Sequence, residues 1–530
     1  MSFIWEVLLN VCYVPTVSKI ALNSALRNLS YAEGASWNSS LGCAPDTRVV
    51  LLQDIWKWVD TADSMKAAKI FWLCDVAGSG KSAIAHTFAQ QCHAKGLLAS
   101  SFFFDRETPG LNGPQKIFST IARDLAGLNA ALAEDIATVL EQERSIVSAN
   151  LTRQFQALIL EPSHRQPFTT PVVIIIDALD ESLTGDIDTE LLEILGNQVA
   201  KLPGMFRIFL TSRPKREFDI ILAKKDHILW RSIDIHSLAN LSDIGIFVRL
   251  KIREIATWGD LGKEWPGQPL LNDFTKTAEG LFIWVSTVCN YVRTTTNPTE
   301  ELRRLVLKRS PHGLPAEQKM DRLYVTILQT CNWQDEGFVH GYGLLVGAIM
   351  AAKCPLSMSA LKSLHGDRLK LPVKKILHPL NALLTGLTEM DQPIRILHQS
   401  FRDFITIRAQ LSSDSKQFFL CEKTHNQRIT LLCLELLDCE LTGNIPGTGY
   451  LSAHETPGIP KIPEITEQLG YACKFWINHI VDVQGPASNQ LITALCDVMS
   501  RRLILWMEII TSKDKFPGLH KVNGWLQVRL

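Results

Sequence analysis

Residues 71–85 read FWLCDVAGSGKSAIA: an apolar run, a glycine turn, then Lys81, Ser82 and a helix-forming stretch. Few local patterns restrict a fold as strongly. A strand that feeds a glycine turn straight into a helix aims backbone N–H groups and the helix N-terminus at one point, the geometry that cradles a phosphate. Gly78 and Gly80 allow the left-handed backbone that such a loop needs. Lys81 is placed for the terminal phosphates and the Ser82 hydroxyl for Mg2+. The candidate nucleotide-binding residues are therefore Ala77, Gly78, Ser79, Gly80, Lys81 and Ser82. The template G-x-x-x-x-G-K-[ST] asks for glycine at position 75, and this chain has Asp75. A carboxylate roughly 8 Å from a polyphosphate would repel it by about 2 kcal/mol per charge pair at an effective dielectric of about 20. Turned away, it would cost little. Asp75 either handicaps the pocket or faces elsewhere.

A second run, VVIIIDALDE (172–181), ends an apolar strand in Asp177, the carboxylate expected to hold Mg2+ together with Ser82. Asp180 and Glu181 follow, and one of them is expected to orient and polarise an attacking water. FLTSRP (209–214) closes a further strand with Arg213, placed to sense a terminal phosphate or to sit as an ordinary surface arginine. Asp180, Glu181 and Arg213 are the candidate catalytic set.

The chain of 530 residues has room for three or four domains, at roughly 150 residues each. Lys plus Arg and Asp plus Glu both number 54. That balance supplies neither the basic footprint of a nucleic-acid binder nor a polybasic membrane arm. The twelve cysteines include no C-x-x-C pair, and they read as reduced core thiols of a cytoplasmic protein. The apolar stretch GYGLLVGAIMAA (341–352) is too short to span a bilayer. MSFIWEVLLNVCYV, with Glu6 and Asn10 in its apolar run, reads as an amphipathic helix or the ragged edge of a larger protein rather than a leader.

Residues 49–59 have helical spacing after Asp46-Thr47, which reads as the N-cap. Short apolar runs then alternate with helix-length connections at 69–74, 99–104, 171–177, 207–212 and 228–235. Near-continuous apolar strands of this kind predict a parallel sheet buried on both faces. Beyond 240 helical periodicity takes over, at 270–293, 316–331 and 335–352. Residues 384–398 read as a hairpin among helices, a winged-helix arrangement, and 423–512 reads as helical with a Gly/Pro-rich loop at 443–463. The expected fold class is α/β, a P-loop NTPase parallel sheet followed by helical, winged-helix and further helical domains. The expected boundaries are a lead-in at 1–64, the NTPase domain at 65–236, a helical subdomain at 237–334, a winged-helix-like domain at 335–412 and a helical region at 413–530.

GSGKSAIA, FFFDRE, IIIDALDE and LTSRP, in that order, resemble the NACHT-type signal-transduction (STAND) NTPases. The flavour is that of fungal NACHT proteins whose C-terminal half is often a WD40 propeller, and of NOD-like receptors. YAEGASWNSSLGCAPDTRVVLLQDIWKWV (31–59), AEGLFIWVSTVCNYVR (278–293), LHQSFRDFI (397–405) and GYACKFWINHI (470–480) extend the resemblance over about 30–510. It implies ATP or GTP with Mg2+, slow hydrolysis, oligomerisation on activation, an effector partner, and a role in signalling or non-self recognition. It also implies that His398, at the start of an H-x-S-F motif, contacts the β-phosphate of a bound diphosphate in a closed state. A strand-end histidine that caps the next helix is the other reading of His398. The tail KDKFPGLHKVNGWLQVRL shows no propeller-blade repeat, so the chain reads as the switch module alone or as a truncated product. Two other functions stay open: an idle scaffold disabled by Asp75, and a P-loop phosphotransferase or metabolic ATPase.

Overall fold

Apolar strands pair in parallel only when both faces are covered, and the first half of this chain supplies the cover from its own connections. The computed structural model describes residues 26–61, 68–182, 189–307, 314–452, 459–462, 465–484, 487–513 and 516–529. The expected N-terminal helix at 1–14 lies outside them. Two compact units are present, one ending at Ser286 and one beginning at Thr287.

In the first unit β1 (Ile70–Cys74), β2 (Leu98–Phe103), β3 (Val172–Asp177), β4 (Phe206–Ser212) and β5 (Ile228–Arg231) form one sheet. Its order is β2-β3-β4-β1-β5 and every pair is parallel. Alternate residues go to opposite faces. Ile70, Trp72, Phe102, Ile174, Ile176, Ile208 and Leu210 share one core. Phe71, Leu73, Phe103, Val173, Ile175 and Phe209 join the other, with α1 (Val49–Asp60) and α2 (Lys81–Ala94) packed on them. Each fully buried Phe, Leu or Ile contributes about 1.5–3 kcal/mol of transfer free energy. That is why these runs show no polar alternation.

The lead-in is part of this unit. Phe103 donates to the carbonyl of Ala35, and Trp37 N–H donates to Ser101 Oγ. This covers the outer edge of β2, which would otherwise be an open template for pairing. Asn38 N–H donates to His86 Nδ1, and the His86 ring stacks on Phe103 at 4.0 Å. Burial pushes His86 down to about 4, so it is a neutral acceptor.

Three local expectations are revised. The residue capping α1 is Arg48, in left-handed geometry at φ 62°, rather than the Asp46-Thr47 pair. Thr47 Oγ1 donates back to the Ala44 carbonyl, one turn before the helix. The strand expected at 228–235 stops at Arg231, because the Ile233 N–H is diverted to the Asp75 carboxylate. The helical run 270–293 is two helices, Gln268–Ala278 and α3 (Phe282–Arg293). Glu279 and Gly280 between them take positive φ, and a Cβ on Gly280 would lie 2.0 Å from the Ile235 carbonyl oxygen.

The second unit is mainly helical. Among its elements a two-stranded antiparallel hairpin pairs Leu384 with Ile396 and Thr385 with Arg395. Leu469, Cys473, Trp476 and Ile480 are buried along one helix, as their spacing predicts. Cys439 and Cys496 are exposed, so the cysteines are not all core residues. No helix among the described residues is long and apolar enough to cross a membrane.

Candidate nucleotide site

The carboxyl ends of β1, β3 and β4 meet at one edge of the sheet, where open α/β folds bind ligands. From β1 the chain turns through Asp75–Gly80 into α2. Gly78 (φ 80°) and Gly80 (φ 92°) take the left-handed conformations, as their place in the motif requires. Lys81 is buried, and its Nζ donates to the carbonyls of Asp75 and Val76, both at 2.8 Å. Burial pulls its ammonium below the ordinary lysine range, opposed chiefly by Asp180 and Asp75. A cation held in reserve on two loop carbonyls can swing to a phosphate without recruiting a new charge.

Both oxygens of the Asp75 carboxylate accept from backbone amides. Its Oδ1 accepts from Val76 N–H at 2.6 Å and its Oδ2 from Ile233 N–H at 3.2 Å. It therefore ties the base of the loop to the chain leaving β5. Desolvation raises its pKa, and those two amides oppose the rise. Asp75→Gly would strand both amides and cost about 1–3 kcal/mol of stability. Nucleotide affinity is expected to stay level or weaken; a tenfold gain in a nucleotide titration would show that the carboxylate does oppose the phosphates.

Asp177, at the end of β3, accepts from Thr211 Oγ1 on β4 at 2.5 Å and from the Ser82 hydroxyl. Burial raises its pKa and both hydroxyls offset that. Ser82 and Asp177, the two residues expected to hold Mg2+, are thus in contact. Among the described residues no group of three His, Cys, Asp or Glu is placed to hold a metal ion. Mg2+ takes one or two protein ligands and completes its octahedron with water and phosphate oxygens.

Beyond Asp177 the acidic pair divides. Asp180 is buried and pairs with Arg213, accepting the Arg213 N–H at 2.9 Å and lying 3.4 Å from its Nε. Lys215 Nζ donates to the Asp180 carbonyl at 2.9 Å. Glu181 Oε2 accepts from the Arg106 N–H at 3.3 Å, and burial together with Asp180 pushes its carboxyl up to about 8. Of the two acids, Asp180 is paired with Arg213, and Glu181 carries the raised pKa.

His398 belongs to the second unit and caps the short helix Gln399–Asp403. Its Nδ1 accepts from Ser400 N–H at 3.1 Å and lies 2.6 Å from Ser400 Oγ.

Residues outside the candidate set complete the site. Arg48 is buried, donates to the Ser79 carbonyl at 2.5 Å and to Asn240 Oδ1 at 2.6 Å, and lies 4.5 Å over the Phe282 ring. Ile283 reaches the loop itself: a Cβ on Gly78 would meet its Cγ2 at 2.0 Å. Arg106 and Lys215 come from the turns after β2 and β4. A lone Arg before a helix, or an Ile inside one, carries no sequence signal of such a role.

The sequence profile of a family described as nephrocystin 3, N-terminal, matches residues 47–213. Over 500 residues, 88% of the chain, the sequence is 21% identical to the vegetative incompatibility protein HET-E-1 of Podospora anserina. Both similarities support a relationship to the NACHT-like STAND proteins. It spans 35% of the length of HET-E-1. A solved structure of Drosophila ORC bound to DNA is similar at 13% identity and a TM-score of 0.35, over 66% of this chain and 92% of that one.

Proposed function

We propose that this NACHT-like chain is a nucleotide-gated switch that binds ATP or GTP with Mg2+ and hydrolyses it slowly. The observation that carries the reading is the placing of Lys81, the Ser82–Asp177 pair and Glu181 at the carboxyl ends of β1 and β3, on one edge of the sheet. In this reading Lys81 leaves the Asp75 and Val76 carbonyls for the terminal phosphates, while the loop amides and the start of α2 bind the rest. When bound at Ser82 and Asp177, Mg2+ supplies charge neutralisation on the phosphate oxygens. Arg213, steered by Asp180, faces the terminal phosphate. Glu181 takes the proton of the attacking water.

A diphosphate-bound closed state, in which His398 contacts the β-phosphate, and oligomerisation after exchange belong to the same proposal. So do a cytoplasmic location, an effector protein and a part in signalling or non-self recognition. The rival reading of an idle scaffold requires Asp75 to repel the phosphates. The amides that hold its carboxylate speak against that.

Protein purified without added nucleotide, denatured and chromatographed, is expected to release stoichiometric ADP or GDP, which also names the base. An empty pocket that ignores added ATP and GTP would overturn the proposal. Glu181→Gln is expected to keep nucleotide affinity within about threefold and to lower turnover by about 100-fold or more. Only the ionised carboxylate can accept a proton, so wild-type turnover should rise with pH through about 8 and be low at pH 6. A flat pH–rate profile would remove Glu181 from the reaction.

A further inference from the structure

FFFDRE contributes one more charged group to the site, and the switch reading assigns it no task. The turn carrying Arg106 is built from the sheet outward. Phe104 N–H donates to the Asp177 carbonyl, prolonging the β2–β3 ladder past the end of β2. Asp105 then closes the turn, its N–H on the Leu111 carbonyl and its Oδ1 accepting from Glu107 N–H. Arg106 is thereby held against the acidic pair. Its N–H donates to Glu181 Oε2 at 3.3 Å, and its Nη2 donates to the Asp180 carbonyl at 3.4 Å. Its Nε is buried without a hydrogen-bond partner. A guanidinium accepts that loss only where something else requires its place.

We infer that Arg106 is a positioning residue for Glu181: its amide fixes one carboxylate oxygen, its side chain fixes the peptide that precedes Glu181, and its charge favours the ionised acid. The inference rests on the reading of Glu181 as the proton acceptor. Charged groups face Glu181 from each strand end. Asp180 comes from β3 and Asp105 from β2, both opposing ionisation. Arg106 from β2 and Arg213 from β4 favour it. Lys215, also after β4, is held on the Asp180 carbonyl. Arg213 also pairs with the Asp180 carboxylate, while the hydrogen bonds of Arg106 bracket Glu181, one on its carboxylate and one on the peptide before it.

The sign follows from charge. In the folded protein Glu181 stays protonated up to about 8, against an ordinary value near 4.5. The folded state therefore holds a proton that the unfolded chain releases over that window, and the stability owed to this group falls as pH rises through it. Removing the Arg106 charge widens the window upward.

The test needs no nucleotide. The infrared C=O stretch of the protonated Glu181 carboxyl, assigned by its loss in E181Q, is titrated in the full chain for wild type, R106Q and R106K. R106Q is expected to move the midpoint upward by about one pH unit. R106K, which keeps the charge, should titrate near wild type, and the pH–rate profile of nucleotide hydrolysis should move in parallel. Equal midpoints in all three proteins would overturn the inference. So would an equal rise in R106K and R106Q, since the effect would then follow side-chain shape and not charge. If R106Q fails to fold, R106K decides alone, because a midpoint raised by a unit with the charge intact contradicts the proposal and an unmoved one supports it. A wild type that binds no nucleotide would defeat the switch reading, while the infrared midpoints would still decide the role of Arg106 separately.

Discussion

Lys81→Ala is expected to remove measurable nucleotide binding while leaving the protein folded. The ammonium is the single cation of the phosphate loop, and in the structure its hydrogen bonds go to the Asp75 and Val76 carbonyls. Binding exchanges those two neutral acceptors for phosphate oxygens, and hydrogen bonds to charged groups are worth about 1.5–3 kcal/mol each. Losing two of them amounts to about 4 kcal/mol, close to a thousandfold in affinity. Stability without nucleotide should change much less. The substitution frees a cation whose burial is already unfavourable, and it leaves two loop carbonyls that water can reach through the vacated space. Nucleotide titration beside a thermal melt checks both halves. A Lys81→Ala protein that binds as tightly as the parent would mean that the loop does not hold phosphate.

Gly78→Ala is expected to be nearly as severe, by a different route. At φ 80° an L side chain is strained, by about 1–2 kcal/mol. The added methyl would also lie 2.0 Å from Ile283 Cγ2 and 2.8 Å from Ile283 Cβ. Rotating the Ile283 side chain relieves the first contact but not the second, because a Cβ follows its own backbone. Either the phosphate loop opens or the start of α3 moves away. The expected outcome is a loss of about 3 kcal/mol of stability, an affinity lower by at least about 100-fold, or a share of both. Ile283→Ala in the same chain removes the Cγ2 clash and keeps the strain, so it should restore part of the loss. A Gly78→Ala protein with wild-type affinity and melting temperature would show that the loop has slack the structure does not reveal. Such slack would weaken the case that Ile283 packs on a nucleotide loop.

Much of this architecture could be read directly from the residues. IFWLC, VVIIID and FRIFLTS are apolar at every pleat or nearly so, and only a sheet covered on both faces makes use of that. The phosphate loop was legible for the same reason: strand, glycines, Lys81 and Ser82 are contiguous, and their geometry is decided within a few residues. Even the Asp177–Ser82 pairing could be anticipated, since each residue ends or begins an element that the pattern locates. By contrast, the Glu279–Gly280 break was hidden. Helical periodicity runs through 270–293, and the break is imposed by the Ile235 carbonyl and the Asn240 side chain packed against Gly280.

What the sequence alone determined, then, are the properties set by neighbours along the chain: the α/β core, the strand ends, and the loop with its lysine and serine. What the tertiary structure decided are properties set by register between distant segments. The sequence left the surroundings of Asp75 open, and it was β5, lying beside β1, that brought it the Ile233 amide. Asp180 and Glu181 looked interchangeable until β4, paired to β3 with Ile176 opposite Leu210, brought Arg213 to one acid and left the other to Arg106. A carboxylate's role depends on which donors lie within about 3 Å of it. Local pattern carries little of that information, because those donors arrive from strands that are neighbours only in the folded sheet.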